Sequence, residues 1–182
     1  MSLLEKVVAA VTPSDADDDV NAIDLLKKDH DEVEALFKDY QLLAEGEGDA
    51  GDRRALSTRI CGMLAVHAII EEEIFYPAAR EAGVDSALLN EAAIEHASAK
   101  ELIAQIGASQ ASDSFYDARV KVLGEQIEHH VKDEEHELFP ACRKAEMDMK
   151  ELGKRLQHRK EQLMRKLNRT QTSALARWYP GV

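Results

Sequence analysis

The stretch HAIIEEEIFYP at residues 67–77 returns as HVKDEEHELFP at residues 130–140. Both copies set a histidine four residues before a glutamate, double that glutamate, and reach a proline ten residues after the histidine. Four residues is just over one helical turn, so His67 and Glu71, like His130 and Glu134, share one helix face about 5–6 Å apart. The segments upstream repeat as well: Asp29 and His30, followed by Leu36 and Phe37, correspond to Glu95 and His96, followed by Leu102 and Ile103. The chain therefore reads as a duplicated helical hairpin.

Helical periodicity extends outward from these motifs over four long segments, separated by Gly46 to Asp52, Gly83 to Asp85 and Gly107 to Asp113. These breaks are rich in residues that cap helices or turn the chain. Short connections predict antiparallel neighbours, hence an all-α, up-down-up-down four-helix bundle. Its inward seam is read as Ile23, Leu26, Val33, Phe37 and Tyr40 in the first helix and Ile60, Leu64, Ile74 and Ala78 in the second. The third offers Leu89, Ala92, Ala99, Ile103 and Ile106, and the fourth Val120, Leu123, Ile127 and Leu138. The spacing of three and four residues is that of a bundle core. Pro77 and Pro140 are expected to mark kinks or ends. Phe75, Tyr76 and Phe139 are expected to fill core.

The bundle is assigned to residues 21–145. Before it, residues 1–20 hold a short amphipathic helix, Leu3 to Val11, and an acidic linker, Thr12 to Asp19. After it, residues 146–182 form a basic extra helix, with Leu152, Leu156, Leu163 and Leu167 on one face, and a tail carrying Trp178 and Tyr179. That helix is expected to pack on the acidic bundle, with a membrane or an anionic partner as the alternative.

Each seam has a gap, and the gaps carry chemistry. His30 fills the missing step in the first helix and His96 in the third; His67 with Glu71 and His130 with Glu134 fill the others. A polar group buried without a partner costs a few kcal/mol, and an ionised carboxylate more. A shared metal centre accounts for all of them together. Imidazole nitrogen and carboxylate oxygen suit iron, zinc or manganese. His129, beside His130, is rotated about 100° off the seam. His129, His136 and His158 are therefore read as ordinary surface residues, and Glu72 and Glu135, next to the ligands, as groups that orient them or bind when a bridge shifts.

Bulk composition narrows the classes. Cys61 and Cys142 stand far apart in no paired motif, so neither a disulfide framework nor a thiolate zinc site is suggested. The net charge of -12 argues against general nucleic-acid binding. No apolar run approaches the roughly 20 residues that span a bilayer, and Leu3 to Val11 is too short and too interrupted for a secretory signal. A cytoplasmic protein without a membrane or nucleic-acid partner is expected.

An isolated histidine, His-x-x-x-Glu, an isolated histidine and His-x-x-x-Glu on four successive helices resembles the hemerythrin-like family, also called the HHE cation-binding domain. The resemblance spans roughly Asn21 to Ala145. It implies two iron ions joined by an oxo or hydroxo bridge, one held by His30 and His67, the other by His96 and His130, with Glu71 and Glu134 between them. The Glu-x-x-His spacing of ferritin-like bundles is absent from the paired motifs. Oxygen-carrying hemerythrins have a further histidine four residues after His96; here that residue is Lys100. The departure implies an open position, or one filled by a nearby Tyr, Glu or water. It moves the expected function from carriage towards binding of, or reaction with, dioxygen or peroxide, with catalase-like detoxification as the enzymatic form and nitric oxide as a further small-molecule partner. The alternatives are iron or oxygen storage or sensing without turnover, and a structural zinc-bound interaction module.

Overall fold

The computed structural model describes residues 20–46 and 48–169. The readings made for Leu3 to Val11, for the acidic linker and for Trp178 and Tyr179 lie outside the described residues. Among the described residues seven α-helices run in the order α1 (Ala22–Glu45), α2 (Ala50–Ile70), α3 (Tyr76–Glu81), α4 (Ser86–Ala108), α5 (Tyr116–Asp133), α6 (Phe139–Lys144) and α7 (Met149–Arg169). α2 runs into α3, and α5 into α6, through the π-helical turns Glu71–Phe75 and Glu134–Leu138. These two composite rods, with α1 and α4, make the four-helix bundle, and α7 is the fifth helix.

Local chemistry sets the helix starts. The side chain of Asn21 accepts from the N–H of Ile23 at 3.0 Å, Asp49 from Asp52 at 2.9 Å and Asp85 from Ala87 at 2.9 Å. Each such cap satisfies an orphan donor and contributes about 1 kcal/mol. Gly83 turns the chain from α3 towards α4 with φ of 81°, a left-handed conformation that glycine adopts without strain.

The π turns alter the seam. In each, the N–H that closes the turn reaches five residues back, Tyr76 to the Glu71 carbonyl and Phe139 to the Glu134 carbonyl. A proline has no N–H to give and crowds the carbonyl four residues before it. The widened turn takes up both problems, and the rods continue through Pro77 and Pro140 instead of ending there. The extra residue shifts the buried face by one position. Phe75, Tyr76 and Ala79 are buried where a regular helix would have turned Ile74 and Ala78 inward; Leu138, Phe139 and Cys142 occupy the matching places in the second copy.

Two apolar clusters result. One gathers Ile23, Leu26, Ile70, Phe75, Leu138 and Phe139 with the α7 leucines Leu152, Leu156 and Leu163. The other gathers Val33, Leu64, Ile103, Ile106, Val120 and Leu123. The histidines and glutamates of the seam form a polar layer between the clusters. α7 lies against α1 and α2. Gly153 permits its closest approach, since a β-carbon there would stand 1.9 Å from the Val20 carbonyl oxygen. Arg159 adds a two-pronged ion pair with Glu73, at 2.7 and 3.0 Å. No described helix is long and apolar enough to cross a membrane.

Candidate metal centre

All six seam residues converge. His30, His67, His96 and His130 are 3–6% exposed, Glu71 is 0% and Glu134 2% exposed. Donor atoms of His30, His67, Glu71 and Glu134 fall within 4.8 Å of one another, and so do those of Glu71, His96 and His130. Glu71 belongs to both groups. Its Oε2 is 3.1 Å from His67 Nε2 and 3.3 Å from His96 Nε2, while Glu134 Oε2 is 3.4 Å from His30 Nε2 and 3.6 Å from His130 Nε2. Each glutamate thus spans the two histidine pairs.

A second ring of carboxylates fixes the imidazoles. Glu135 holds His30 Nδ1 at 3.0 Å, Asp29 holds His67 Nδ1 at 3.5 Å, Glu72 holds His96 Nδ1 at 2.9 Å and Glu95 holds His130 Nδ1 at 2.8 Å. A neutral imidazole carries one proton, and a carboxylate partner draws it to Nδ1. The Nε2 lone pairs then face inward, which is the arrangement of a metal-ligating histidine. They also face each other, His30 against His67 at 3.2 Å and His96 against His130 at 3.1 Å. Two lone pairs at such a distance repel unless a proton or a cation lies near both. Glu71 Oε1 and Glu134 Oε2 are buried with no hydrogen-bond donor. An orphaned buried carboxylate oxygen is costly, and a cation supplies the missing partner. The residues present fit a metal ion on these grounds.

Lysines support the ring from outside. Lys27 pairs with Glu135, Lys160 of α7 pairs with Asp29, and Lys100 Nζ lies 2.6 and 2.5 Å from the two oxygens of Glu72. Lys100 therefore reaches the centre through Glu72 and His96. Six carboxylates stand against three lysines, so the layer with neutral imidazoles has an excess of negative charge. Burial disfavours charge on His67 and His96, but carboxylates outweigh it. Glu71 and Asp29 hold His67 up at about 10, and Glu71 and Glu72 hold His96 up at about 9. Burial raises Glu71, yet His67 and His96 drive it well below the usual carboxylate range.

Sequence reasoning missed three of these groups. Tyr76, read as core filling, is 6% exposed and also enters the site. Its hydroxyl donates to Glu134 Oε1 at 2.8 Å and stands 3.3 Å from His96 Nε2. Burial pushes the phenol well above its ordinary value and Glu71 and Glu134 push it further, so the hydroxyl keeps its proton. The matching residue of the second copy, Phe139, has no hydroxyl and stacks on His30, with ring centroids 5.9 Å apart and planes at 5°. Asp29 and Glu95 were seen only as markers of the repeat; their position just before His30 and His96 in both copies was the signal. His129, read as an ordinary surface residue, has Asp133 at 3.4 Å and Glu95 at 3.6 Å. His136 and His158 are exposed and belong to none of the donor groups found among the described residues.

A known family, described as the hemerythrin HHE cation binding domain, matches residues 21–142. The chain belongs to the hemerythrin HHE cation binding domain family. As a member it is a metal-binding helical protein. The hemerythrin-family fold is shared with the crystal structure of a hemerythrin HHE cation binding domain-containing protein from Mycobacterium kansasii, at 25% identity and a TM-score of 0.73, covering 88% of this chain and 100% of that one. A relative from Nostoc sp., described as a DNA nickase, is 31% identical over 140 residues, which is 75% of this chain. The match spans only 38% of that relative's length.

Proposed function

We propose that this hemerythrin-family protein holds a di-iron centre and uses it to bind dioxygen or peroxide, or to react with them. The observation that carries the reading is the pair of donor groups sharing Glu71, with Glu134 spanning the same two histidine pairs. His30 and His67 would hold one ion, His96 and His130 the other, with Glu71 and Glu134 between them. The metal pair supplies redox chemistry and a Lewis-acidic face for a small oxygen ligand.

The chain's own residues shape that ligand's access. Beside the four histidines lies a cavity of about 20 Å³, walled chiefly by Val33, Leu64, Ala99, Ile103 and Ile127. It has room for one molecule about the size of water or slightly larger. Apolar walls admit a small neutral molecule and discourage ions. Lys100 lines the same cavity while its ammonium is drawn to Glu72, so the place of a carrier's extra histidine is taken by a side chain turned to a carboxylate. Tyr76 keeps its proton at Oη and donates a hydrogen bond with it to Glu134, which orients one oxygen of that carboxylate and places a donor on the His96 side.

The test combines metal analysis with steady-state oxygen evolution from peroxide. The expected result is about two iron ions per chain, an absorption that responds to azide or peroxide, and loss of most metal in Glu71→Ala and in Glu134→Ala. Turnover of peroxide marks an enzyme; a stoichiometric response alone marks a store or sensor. Protein that takes up no iron after reduction and anaerobic loading overturns the reading.

A further inference from the structure

A second cavity, of about 110 Å³, opens between α4 and the end of α5. Its wall carries five carboxylates, those of Glu91, Glu95, Asp133, Glu134 and Glu137, beside Leu88, Ala92 and Leu138. Among the described residues no lysine or arginine lines it. The carboxylates are graded by depth: Glu91 and Glu137 are exposed, Glu95 and Asp133 half-buried, and Glu134 is 2% exposed with its Oε2 lacking any hydrogen-bond donor. At the rim, donor atoms of Glu95, His129 and Asp133 fall within 4.8 Å of one another.

We propose that this acidic cavity is the route by which divalent cations reach the buried centre, with Glu95, His129 and Asp133 as a transit site at its rim. The inference rests on the metal-binding reading above. The small cavity is a poor entrance for a hydrated divalent cation, because its volume of about 20 Å³ leaves no room for the ion's waters and its aliphatic walls offer no oxygen to exchange for them. Along the acidic cavity each step offers a carboxylate oxygen in place of a water, and a cleft lined by one sign of charge raises the local concentration of counter-ions. The path ends at Glu134, whose Oε2 already faces His30 and His130. Glu95 joins rim to centre, since its Oε1 lies 3.6 Å from His129 while its Oε2 holds His130 at 2.8 Å. The two cavities abut opposite apolar clusters, so the small neutral ligand and the cation use separate doors.

The experiment is stopped-flow uptake of Co²⁺, and of Fe²⁺ without oxygen, by the metal-free full chain. Glu91→Gln combined with Glu137→Gln is expected to slow loading by about three- to tenfold at low salt, with the same final stoichiometry and spectrum, and the gap is expected to shrink at high salt. His129→Ala is expected to slow loading likewise without lowering final content. The control, Glu32→Gln with Glu34→Gln on α1, removes the same charge from an exposed face elsewhere and is expected to load at the wild-type rate. Wild-type rates in the cavity variants, equal slowing in the control, or a lower final metal content in the cavity variants overturns the route. A wild-type chain that takes up neither cation overturns the metal-binding reading itself, which keeps the two failures apart.

Discussion

Tyr76→Phe isolates the one hydroxyl that distinguishes the two halves of the centre. The ring itself needs no hydroxyl to pack, because Phe139 occupies the equivalent place with 1% exposure. The substitution therefore leaves the apolar contacts and removes the donor 2.8 Å from Glu134 Oε1. A hydrogen bond to a charged group contributes about 1.5–3 kcal/mol, and removing one partner leaves the other buried and unsatisfied. Glu134 is 2% exposed and its Oε2 already lacks a donor, so the variant strands both oxygens of one carboxylate. The upper part of the range applies, about 2–3 kcal/mol. With a urea m-value of about 2 kcal/mol/M, the unfolding midpoint of the metal-free protein should fall by about 1–1.5 M. Far-UV circular dichroism against urea, for wild type and variant stripped of metal by the same chelator, reads this directly. An unchanged or higher midpoint would refute the argument, because it would mean that Glu134 does not depend on Tyr76 for its burial.

Stability of the metal-free protein should peak between about pH 5 and 6.5. Asp29, Glu72, Glu95 and Glu135 sit below their ordinary values of 3.8 and 4.5, so their contribution is full above those values and is lost as pH falls through the folded ones. His67 and His96 sit above 6.5, so theirs is full below 6.5 and is lost as pH rises through about 10 and about 9. Urea midpoints measured from pH 4 to 10 check both limbs, and a midpoint that climbs from pH 6.5 to 9 would contradict the second. Lys160→Met removes the partner of Asp29 and loosens the group that orients His67; metal affinity in a chelator competition should fall about tenfold, the range typical of such outer partners. Burial pushes the Cys61 and Cys142 thiols from 9.0 up to about 12, which lowers the thiolate fraction at pH 8 roughly a thousandfold. Neither should react with a thiol-alkylating reagent in the native protein, while both react in urea; labelling of Cys61 in the native state would count against its place in the core.

Periodicity and duplication exposed the seam, because a residue type that is costly to bury stands out against apolar neighbours. His30, His67, Glu71, His96, His130 and Glu134 were all visible in this way, and the structure brings them into one layer. The path of the helix just beyond each ligand pair was not visible. A π turn inserts one residue into the helical count, and no regular period announces it, so Ile74 and Ala78 were placed on the seam where Phe75, Tyr76 and Ala79 belong. The proline ten residues after each histidine was the trace of that insertion. Tyr76 was hidden for the same reason, and the mismatch with Phe139 in an otherwise faithful repeat was its only mark. For α7, the leucine stripe shows that the helix packs but not where. Gly153 against Val20, and Lys160 against Asp29, decide the place, and both depend on residues distant in sequence.

The duplication leaves the inner layers of the centre alike and the outer ones different. In both halves the isolated histidine takes its Nδ1 partner from the residue after the opposite glutamate, His30 from Glu135 and His96 from Glu72. In both halves the paired histidine takes its partner from the residue before the isolated one, His67 from Asp29 and His130 from Glu95. Beyond that ring the symmetry ends. Lys27, Lys100 and Lys160 draw charge from Glu135, Glu72 and Asp29, whereas Glu95 has no lysine partner among the described residues and faces His129 across 3.6 Å. A carboxylate relieved by an ammonium pulls less on the imidazole proton, and the ring behind it is a weaker donor. His130 is thus the one ring of the four whose carboxylate partner carries no lysine among the described residues, on the half that also holds the Tyr76 hydroxyl and borders the acidic cavity. The two histidine pairs of the duplicated centre therefore have unequal surroundings, and the inequality arises from single residues of the outer ring and from Tyr76, not from the donors themselves.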